Sequence, residues 1–245
     1  MRSSVSFVLD GKIVTEDFSV SHTTPTTTVL NYLRSLPTHK GVKEACAEGD
    51  CGACTVVLGE LGSDSRIHYK AVDSCLVFLP MIHGKQLVTV ENLKSTTGEL
   101  HPVQQAMVET GGSQCGYCTP GIIMAMFSLY KNHHQPTRNQ IDDALTGNLC
   151  RCTGYKPIVE AAAKSCVHQG IDSISSLEPE VAQLLRSIAH SSATIKTEKQ
   201  TYFQPKTLPE ALTLKHRHPD ALVVCGATDV ALLVTKKHEL LEKIL

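Results

Sequence analysis

Three closely spaced cysteines and a fourth further along could bind an iron-sulfur cluster. Cys46, Cys51 and Cys54 follow a C-x4-C-x2-C pattern, and Cys75 comes next in the chain. This spacing is one of those that bring four thiolates onto the two irons of a 2Fe-2S cluster. Small Gly and Ala residues between the cysteines leave room near the sulfurs and backbone N–H groups to donate to them. A zinc site at Cys51 and Cys54 is the alternative, and it leaves Cys46 unexplained.

A second set of cysteines has a different spacing. It consists of a C-x2-C pair and a later C-x-C pair: Cys115, Cys118, Cys150 and Cys152. Pro120 and Pro157 are expected to open helices just after the two pairs, so two helix N-termini could face one anionic cluster. The spacing alone also allows zinc. A disulfide within C-x-C would be strained.

Composition limits the class of protein. The 245 residues carry 23 Lys+Arg against 24 Asp+Glu, a net charge of −1. The basic surface of a nucleic-acid or anionic-membrane binder is therefore not expected. The sequence has no signal-peptide pattern after Met1, and no apolar stretch approaches the ~20 residues of a spanning helix. We expect a cytoplasmic protein with no nucleic-acid or membrane partner, in which clustered cysteines serve metal or redox chemistry rather than disulfides.

Residues 1–90 must position the first cysteine group. Alternating apolar residues on both sides of Asp10-Gly11 predict a hairpin with a type I′ turn. A helix over Thr28–Arg34 is stopped by Pro37. Three further strands are expected at Thr55–Leu58, Arg66–Val72 and Gln86–Val90. These elements predict a small sheet packed on one helix.

Residues 91–168 predict a compact bundle of four short helices. Pro102, Pro120 and Pro157 mark three helix starts, and Thr137 with Gln140 forms a capping box at the remaining one. The Ser- and Pro-containing segment 169–200 predicts an interdomain linker with one amphipathic piece, Val181–Ile188. Residues 201–245 then predict a helix over Leu208–His216, a strand over Ala221–Val224 and a turn at Gly226.

Taken together, the motifs resemble the iron-sulfur part of the molybdenum hydroxylases. The resemblance runs through 1–168, including Gly98–Met107, QCGYCTPG at Gln114–Gly121 and NLCRCTGY at Asn148–Tyr155. Tyr202–Val230 is similar to the opening of the family's FAD domain. The resemblance implies an α+β multidomain chain. We expect a β-grasp plant-type ferredoxin domain at 1–90, a four-helix-bundle 2Fe-2S domain at 91–168, a linker at 169–200 and the start of an α+β FAD-binding domain at 201–245.

The resemblance also implies a function. Two clusters and a flavin segment without a molybdenum domain resemble the small-subunit class of bacterial xanthine dehydrogenases. Such a chain has no catalytic residue of its own. It passes electrons from a molybdenum-pterin cofactor on a large partner subunit, through two 2Fe-2S clusters, to FAD and NAD. A heterotetramer of two small and two large subunits, or a larger assembly, is implied. The same role in an aldehyde or N-heterocycle hydroxylase, and a zinc-stabilised interaction module, are the alternatives.

Two further sets of contacts are implied by the resemblance only. Gln114 would reach the pterin in the partner, and otherwise is a solvated loop residue. The loop around Gly226 would hold the FAD pyrophosphate through backbone N–H groups, and otherwise is a strand-to-helix turn capped by Thr228. That loop comprises Val223, Val224, Cys225, Gly226, Ala227, Thr228, Asp229 and Val230. Because 201–245 is short for a domain, we expect a fragment of a longer subunit, or a domain completed by another chain, that retains no stoichiometric FAD alone.

Overall fold

The structure, a computed structural model, describes residues 3–95, 97–167, 170, 172–188 and 192–245. Within these residues the architecture is mixed α+β, with one five-stranded sheet, one three-stranded sheet and helices on both sides of the larger one. This confirms the α+β class predicted from the sequence. In the same residues no helix is both long and apolar enough to cross a membrane.

The larger sheet has the strand order β2-β1-β5-β3-β4. Its strands are β1 (Ser4–Leu9), β2 (Lys12–Asp17), β3 (Thr55–Leu61), β4 (Ile67–Asp73) and β5 (Gln86–Val88), with helix α1 (Val29–Ser35) on one face. Strands β1 and β5 are parallel, and the other neighbours are antiparallel. The predicted hairpin is present, because Asp10 and Gly11 both adopt the positive φ values, 52° and 70°, that a type I′ turn needs.

The observed bounds of three strands in this region differ from the predicted ones. Strand β3 continues beyond Leu58 to Leu61, and β4 covers Ile67–Asp73 rather than Arg66–Val72. Strand β5 ends at Val88 rather than Val90, because Thr89 caps a 3₁₀ turn over Val90–Leu93. Helix α1 begins after Thr28, whose hydroxyl accepts from the Asn31 N–H. It ends just before Leu36-Pro37, since proline disfavours a helical conformation in the residue before it.

Four helices follow, as the start signals predict: α2 (Pro102–Glu109), α3 (Thr119–Asn132), α4 (Arg138–Leu145) and α5 (Lys156–Ser165). Prolines lie in the first turns of α2, α3 and α5, and Thr137 forms the predicted capping box with Gln140. Met107, Met124 and Cys166 are buried between the helices.

The segment predicted as a linker contains a long helix, and this corrects the prediction. Helix α6 (Ser173–Ser187) has Pro179 in its interior, and its residues Val181 and Leu185 pack into the same core as α2–α5. Only the piece Val181–Ile188 was predicted as amphipathic. The short runs 168–169, 171 and 189–191 of the same region lie outside the described residues.

Residues 192–245 form the smaller sheet, β6 (Ala193–Lys196), β7 (Thr201–Gln204) and β8 (Lys243–Ile244), with helices α7 (Leu208–Arg217) and α8 (Val230–Thr235). The predicted helix at Leu208 is confirmed. The predicted strand at Ala221–Val224 is reduced to a bridge between Leu222 and Ile244, with flanking hydrogen bonds to β8. We call residues 192–245 the C-terminal segment.

Both faces of the larger sheet are buried. Val8 and Val57 point into a core shared with α2–α6. Phe7 and Val56, the neighbours of these residues, point into a second core that contains α1 and also Ile244 of the C-terminal segment. Alternation along the strands thus places the four-helix region on one face and the C-terminal segment on the other.

Candidate iron-sulfur sites

The first cysteine group lies at one end of the larger sheet. Cys54 directly precedes β3, and Cys75 follows shortly after β4. Because Thr55 pairs with Asp73 across these antiparallel strands, the two cysteines meet at the same sheet edge. The Ser74 hydroxyl donates to the Cys54 carbonyl at 2.7 Å and fixes this approach. Cys46 and Cys51 come from the loop that leads into β3.

The four thiols of this first site form two pairs. The thiols of Cys54 and Cys75 are hydrogen-bonded and almost fully buried, with 3% and 1% of their surface exposed. The thiol of Cys51 is hydrogen-bonded to that of Cys46, and both are half-buried. The hydrogen bond to Cys75, together with burial, raises the pKa of Cys54. Partial burial opposes ionisation of Cys46, but backbone N–H groups, led by that of Glu48, lower its pKa.

Glycines in the first loop leave no room for side chains. Gly49 has φ 82° and Gly52 has φ 68°, a region that favours glycine. A Cβ on Gly49 would lie 2.3 Å from Leu76 Cδ1. A Cβ on Gly52 would lie 2.4 Å from the Gly147 carbonyl oxygen. The loop backbone therefore lies tightly against Leu76 and against the loop at Gly147.

The second cysteine group joins the starts of two helices. Cys118 is the residue that caps α3, and Cys115 lies in the preceding loop. Cys150 and Cys152 lie in the loop between α4 and α5. The thiols again form pairs, Cys115 with Cys152 and Cys118 with Cys150. Cys115 and Cys152 are exposed, so this site has one open edge.

The second site includes a thiol that ionises readily. Burial alone would raise the pKa of Cys150, but the Thr153 hydroxyl at 3.2 Å and nearby backbone N–H groups lower it to about 7. Burial, with a hydrogen bond to Cys150, raises the pKa of Cys118 to about 12. Because the thiolate is the metal-binding form, Cys150 is the residue of this site that is best prepared to bind iron at neutral pH.

Each cysteine group supplies the number of donors that a cluster needs. Both groups consist of four free cysteines, and a 2Fe-2S cluster takes four thiolates over two irons. The donor sets therefore fit 2Fe-2S clusters, while four thiolates are also a known donor set for zinc.

The two cysteine loops are in direct contact. The Leu149 N–H donates to the Cys51 carbonyl at 3.0 Å. The buried Asn148 amide donates to the Gly52 carbonyl and to Thr55 Oγ1, each at 3.0 Å. A Cβ on Gly121, in the first turn of α3, would lie 2.0 Å from the Gly52 carbonyl oxygen. These residues were not predicted, although Asn148 and Gly121 both lie in the quoted motifs.

Two tyrosines that the sequence did not single out also shape these loops. The Cys150 N–H donates to the Tyr155 hydroxyl at 2.9 Å, and Tyr155 itself has φ 67°. The Tyr117 hydroxyl donates to the Glu44 carbonyl of the first loop. Gln114 is exposed beside Cys115, at the open edge of the second site.

The predicted flavin loop is largely exposed. Gly226 and Ala227 follow one another at φ 80° and 65°, and Ala227 is the buried residue of the loop. The residue that caps α8 is Asp229, so the alternative with Thr228 as the cap is wrong. Just beyond α8, Lys236 contacts the first cysteine loop.

Comparisons with known proteins found similar sequences. A family model described as "[2Fe-2S] binding domain" matches residues 89–163. Xanthine dehydrogenase of Drosophila pseudoobscura pseudoobscura is 36% identical over 96% of this chain and 20% of its own length. Aldehyde oxidase of Homo sapiens is 32% identical over 93% of this chain and 20% of its own length.

The chain belongs to the molybdenum hydroxylase family. It spans about a fifth of the length of these relatives, and the matched part is the iron-sulfur region. Two crystal structures from this family are similar to it. Quinoline 2-oxidoreductase from Pseudomonas putida 86 has a TM-score of 0.53 and 26% identity, over 76% of this chain and 98% of that one. Aldehyde oxidoreductase from Desulfovibrio gigas has a TM-score of 0.56 and 25% identity, over 80% of this chain and 24% of that one.

Proposed function

We propose that this chain carries electrons from a molybdenum-pterin site on a partner polypeptide towards FAD and NAD. Its cysteines would bind two 2Fe-2S clusters, one through the loop of Cys46 and one through the loop of Cys118. The observation that carries the proposal is the hydrogen bond from Leu149 N–H to the Cys51 carbonyl, because it joins a residue next to Cys150 directly to a ligand of the other site. A 2Fe-2S cluster, when bound, accepts and gives up one electron at a time.

The chain's own residues would hold and shield the two sites. Cys54 and Cys75 are buried, so they exclude water from one side of the first site. Cys118, at the N-terminus of α3, would place the positive end of that helix dipole beside the second site. Asn148 would keep the two loops in register through its hydrogen bonds to Gly52 and Thr55.

We also propose the domain assignment that the resemblance implies. The strand order, with β1 parallel to β5 and α1 against the sheet, supports a β-grasp ferredoxin domain at 1–90. Helices α2–α5 support a four-helix 2Fe-2S domain at 91–168. The mixed fold of 201–245 supports the start of a FAD-binding domain there, with the loop Val223–Val230 at the FAD pyrophosphate.

The open edge of the second site would face the partner. Cys115 and Cys152 are exposed there together with the apolar surface of Tyr117 and Leu149. Exposed apolar groups around a functional site are typical of a protein interface. We propose that a molybdenum-binding large subunit covers this edge, with Gln114 near its pterin, in a heterotetramer of two small and two large subunits or a larger assembly.

The substrate would be bound by the partner, since we assign no substrate contact to this chain. We propose a purine, as in a xanthine dehydrogenase. The second candidate is an aldehyde or an N-heterocycle, because relatives named aldehyde oxidase and a structure named quinoline 2-oxidoreductase match to a similar degree. Turnover of xanthine against an aldehyde and a quinoline by the purified complex separates these candidates.

Metal analysis with spectroscopy tests the electron-transfer proposal. The purified chain should contain iron and acid-labile sulfide for two 2Fe-2S clusters. After reduction it should give two distinct electron paramagnetic resonance signals, because the two sites differ in burial and hydrogen bonding. Zinc without labile sulfide would refute the proposal and favour the zinc-stabilised interaction module.

A further inference from the structure

A lysine from the C-terminal segment reaches the first cysteine loop. The Lys236 ammonium donates to the Cys46 carbonyl oxygen, across 190 residues of sequence. The same ammonium lies 3.3 Å from Glu48 Oε2 in the same loop. Cys46 is one of the proposed ligands, so a positive charge from the proposed flavin side lies next to the backbone of a cluster ligand.

The fold, rather than the length of the side chain alone, places this ammonium. Lys236 directly follows the last residue of α8, and its N–H donates to the Leu232 carbonyl at 3.0 Å. Ala231 of the same helix is fully buried in the core that also contains Cys54 and Cys75. The helix that presents Lys236 is therefore packed on the body that carries the first site.

The charged residues of the first cysteine loop make the Lys236 ammonium significant. The first loop carries the acidic residues Glu44, Glu48 and Asp50. Its two basic residues are engaged elsewhere, because the Lys40 ammonium donates to the Arg34 carbonyl and the Lys43 ammonium donates to the Lys40 carbonyl. Lys236 thus brings a cation to a loop that is otherwise acidic near Cys46.

We propose that Lys236 is a positioning residue that raises the reduction potential of the ferredoxin-like site. This inference rests on the proposed function. The step concerned is the arrival of one electron at the first site from the second site, with no bond made or broken and the ammonium unchanged. The added negative charge is stabilised by the nearby ammonium, which favours the reduced state. The contact also holds the flavin-side segment against the cluster loop.

Lys236→Gln tests the inference, because glutamine can still donate to the Cys46 carbonyl but carries no charge. Lys237→Gln is the matched control, since Lys237 is also exposed and has no contact with Cys46 among those described. Redox titration of the full chain, followed by electron paramagnetic resonance, measures each cluster separately. At a fixed potential, Lys236→Gln should lower the ratio of reduced to oxidised ferredoxin-like cluster about threefold to tenfold, tenfold being about 59 mV for one electron.

The second cluster should keep its ratio of reduced to oxidised form in both Lys236→Gln and Lys237→Gln. Lys236→Arg should restore the ratio of the ferredoxin-like cluster. An unchanged ratio in a Lys236→Gln protein that retains both clusters overturns the inference and leaves the proposed function standing. Absence of iron and sulfide from the unsubstituted chain overturns the proposed function itself.

If Lys236→Gln does not retain its clusters, Glu48→Gln provides the second test of whether Lys236 affects the reduction potential of the ferredoxin-like site. Removing that carboxylate by itself favours the reduced state, so the comparison is between Glu48→Gln and the double variant Glu48→Gln/Lys236→Gln, in which the ratio of reduced to oxidised cluster should be about threefold lower. Equal ratios in these two variants would equally overturn the inference.

Discussion

Cys54 and Cys118 occupy comparable places in their sites but belong to different cores. Each lies at the start of a regular element, β3 and α3 respectively. Cys54 packs with the core that contains α1, whereas Cys118 packs against the core of α2–α6. The ligands of one site can therefore be changed without removing side chains from the core of the other.

Single cysteine substitutions should accordingly remove one cluster each. Cys54→Ser should abolish the electron paramagnetic resonance signal of the ferredoxin-like cluster and leave the second signal. Cys118→Ser should do the reverse and stop electron flow from substrate to flavin in the complex. Iron content should fall by about half in each variant, since each cluster takes two irons. Cys166→Ser is the control, because Cys166 is a buried cysteine at the C-terminal end of α5 and is not one of the proposed ligands. Loss of the same signal in both variants would contradict the assignment of ligands.

The proposed ligands could be identified from the sequence, whereas the residues between the two sites could not. Cysteine spacing is a local pattern, so all eight proposed ligands are visible in it. Asn148 and Gly52 are 96 residues apart, and no local pattern indicates that they are hydrogen-bonded. The Lys236 contact with Cys46 is hidden for the same reason.

At the scale of elements, the first turn of α3 lies against the first cysteine loop. Gly121→Ala should destabilise the protein by about 1–3 kcal/mol, because a Cβ 2.0 Å from the Gly52 oxygen forces the two backbones apart. That cost exceeds the ~1 kcal/mol that alanine usually gains over glycine in a helix. Urea unfolding measures the loss, and hydrogen exchange of the Leu149 amide should become faster.

Gly147→Ala is the matched control for this overlap. Nothing lies within 4 Å of a Cβ at Gly147, so the substitution should be neutral or stabilising by no more than about 1 kcal/mol. Equal stability of the two variants would show that the loops are not packed as described.

Helix α6 is anchored by a buried carboxylate. Asp172 Oδ1 accepts from the Ser175 N–H at 2.8 Å, and Lys131 lies 3.7 Å from its other oxygen. Burial would raise the pKa of Asp172, but the nearby His101 ring, whose Nε2 lies 3.8 Å from Oδ1, the hydrogen bonds from Ser175 and the charge of Lys131 hold it well below the usual range. A lowered folded-state pKa stabilises the fold above the unfolded pKa of about 3.9, and this stabilisation is lost as the pH falls further.

Asp172→Asn should therefore lower the free energy of unfolding by about 1–3 kcal/mol at pH 7. The buried ammonium of Lys131 loses one of its negative partners, while the asparagine side chain can still cap α6. Urea unfolding from pH 7 downward should show the difference from the unsubstituted protein shrinking below about pH 4. Asp142→Asn removes an exposed ion pair with Arg138, and it should lower the free energy of unfolding by no more than about 0.5 kcal/mol. A pH-independent difference for Asp172→Asn would contradict this account of the anchor.

The elements themselves were predicted unevenly. Helices α2–α5 have proline or capping-box starts, and all four were predicted. The first half of α6 was missed because Ser173, Ser175, Ser176 and Pro179 suggest a loop by composition. Burial of Ile174 and Leu185 against the bundle, together with the Asp172 cap, overrides that local tendency.

At the scale of the whole molecule, the C-terminal segment shares a core with the larger sheet. Gln200 joins the two by a buried amide that donates to Thr26 Oγ1 at 3.1 Å and to the Leu241 carbonyl at 2.9 Å. Local periodicity predicted several elements of this segment. It did not predict where the segment packs on the larger sheet, because Thr26 and Gln200 are 174 residues apart.

Gln200→Ala should destabilise the protein by about 1–3 kcal/mol, because it leaves the Leu241 carbonyl buried without its partner. The sheet and the C-terminal segment should still unfold in one transition, by both circular dichroism and tyrosine fluorescence. Gln105→Ala, which removes an exposed bond to Glu109, should change stability by less than about 0.5 kcal/mol. Two separate transitions in the unsubstituted protein would show that the core is not shared.

The unequal exposure of the cysteines has a consequence for assembly and repair. Cys54 and Cys75 are closed off by the folded sheet, whereas Cys115 and Cys152 are open to solvent. A cluster bound at the first site would therefore be shielded from chelators and oxidants on the side of Cys54 and Cys75. A cluster bound at the second site would be open to delivery into the folded chain, and to removal by oxidants, until a partner covers its edge. We therefore expect the first site to lose its iron more slowly than the second when the purified chain is treated with a chelator.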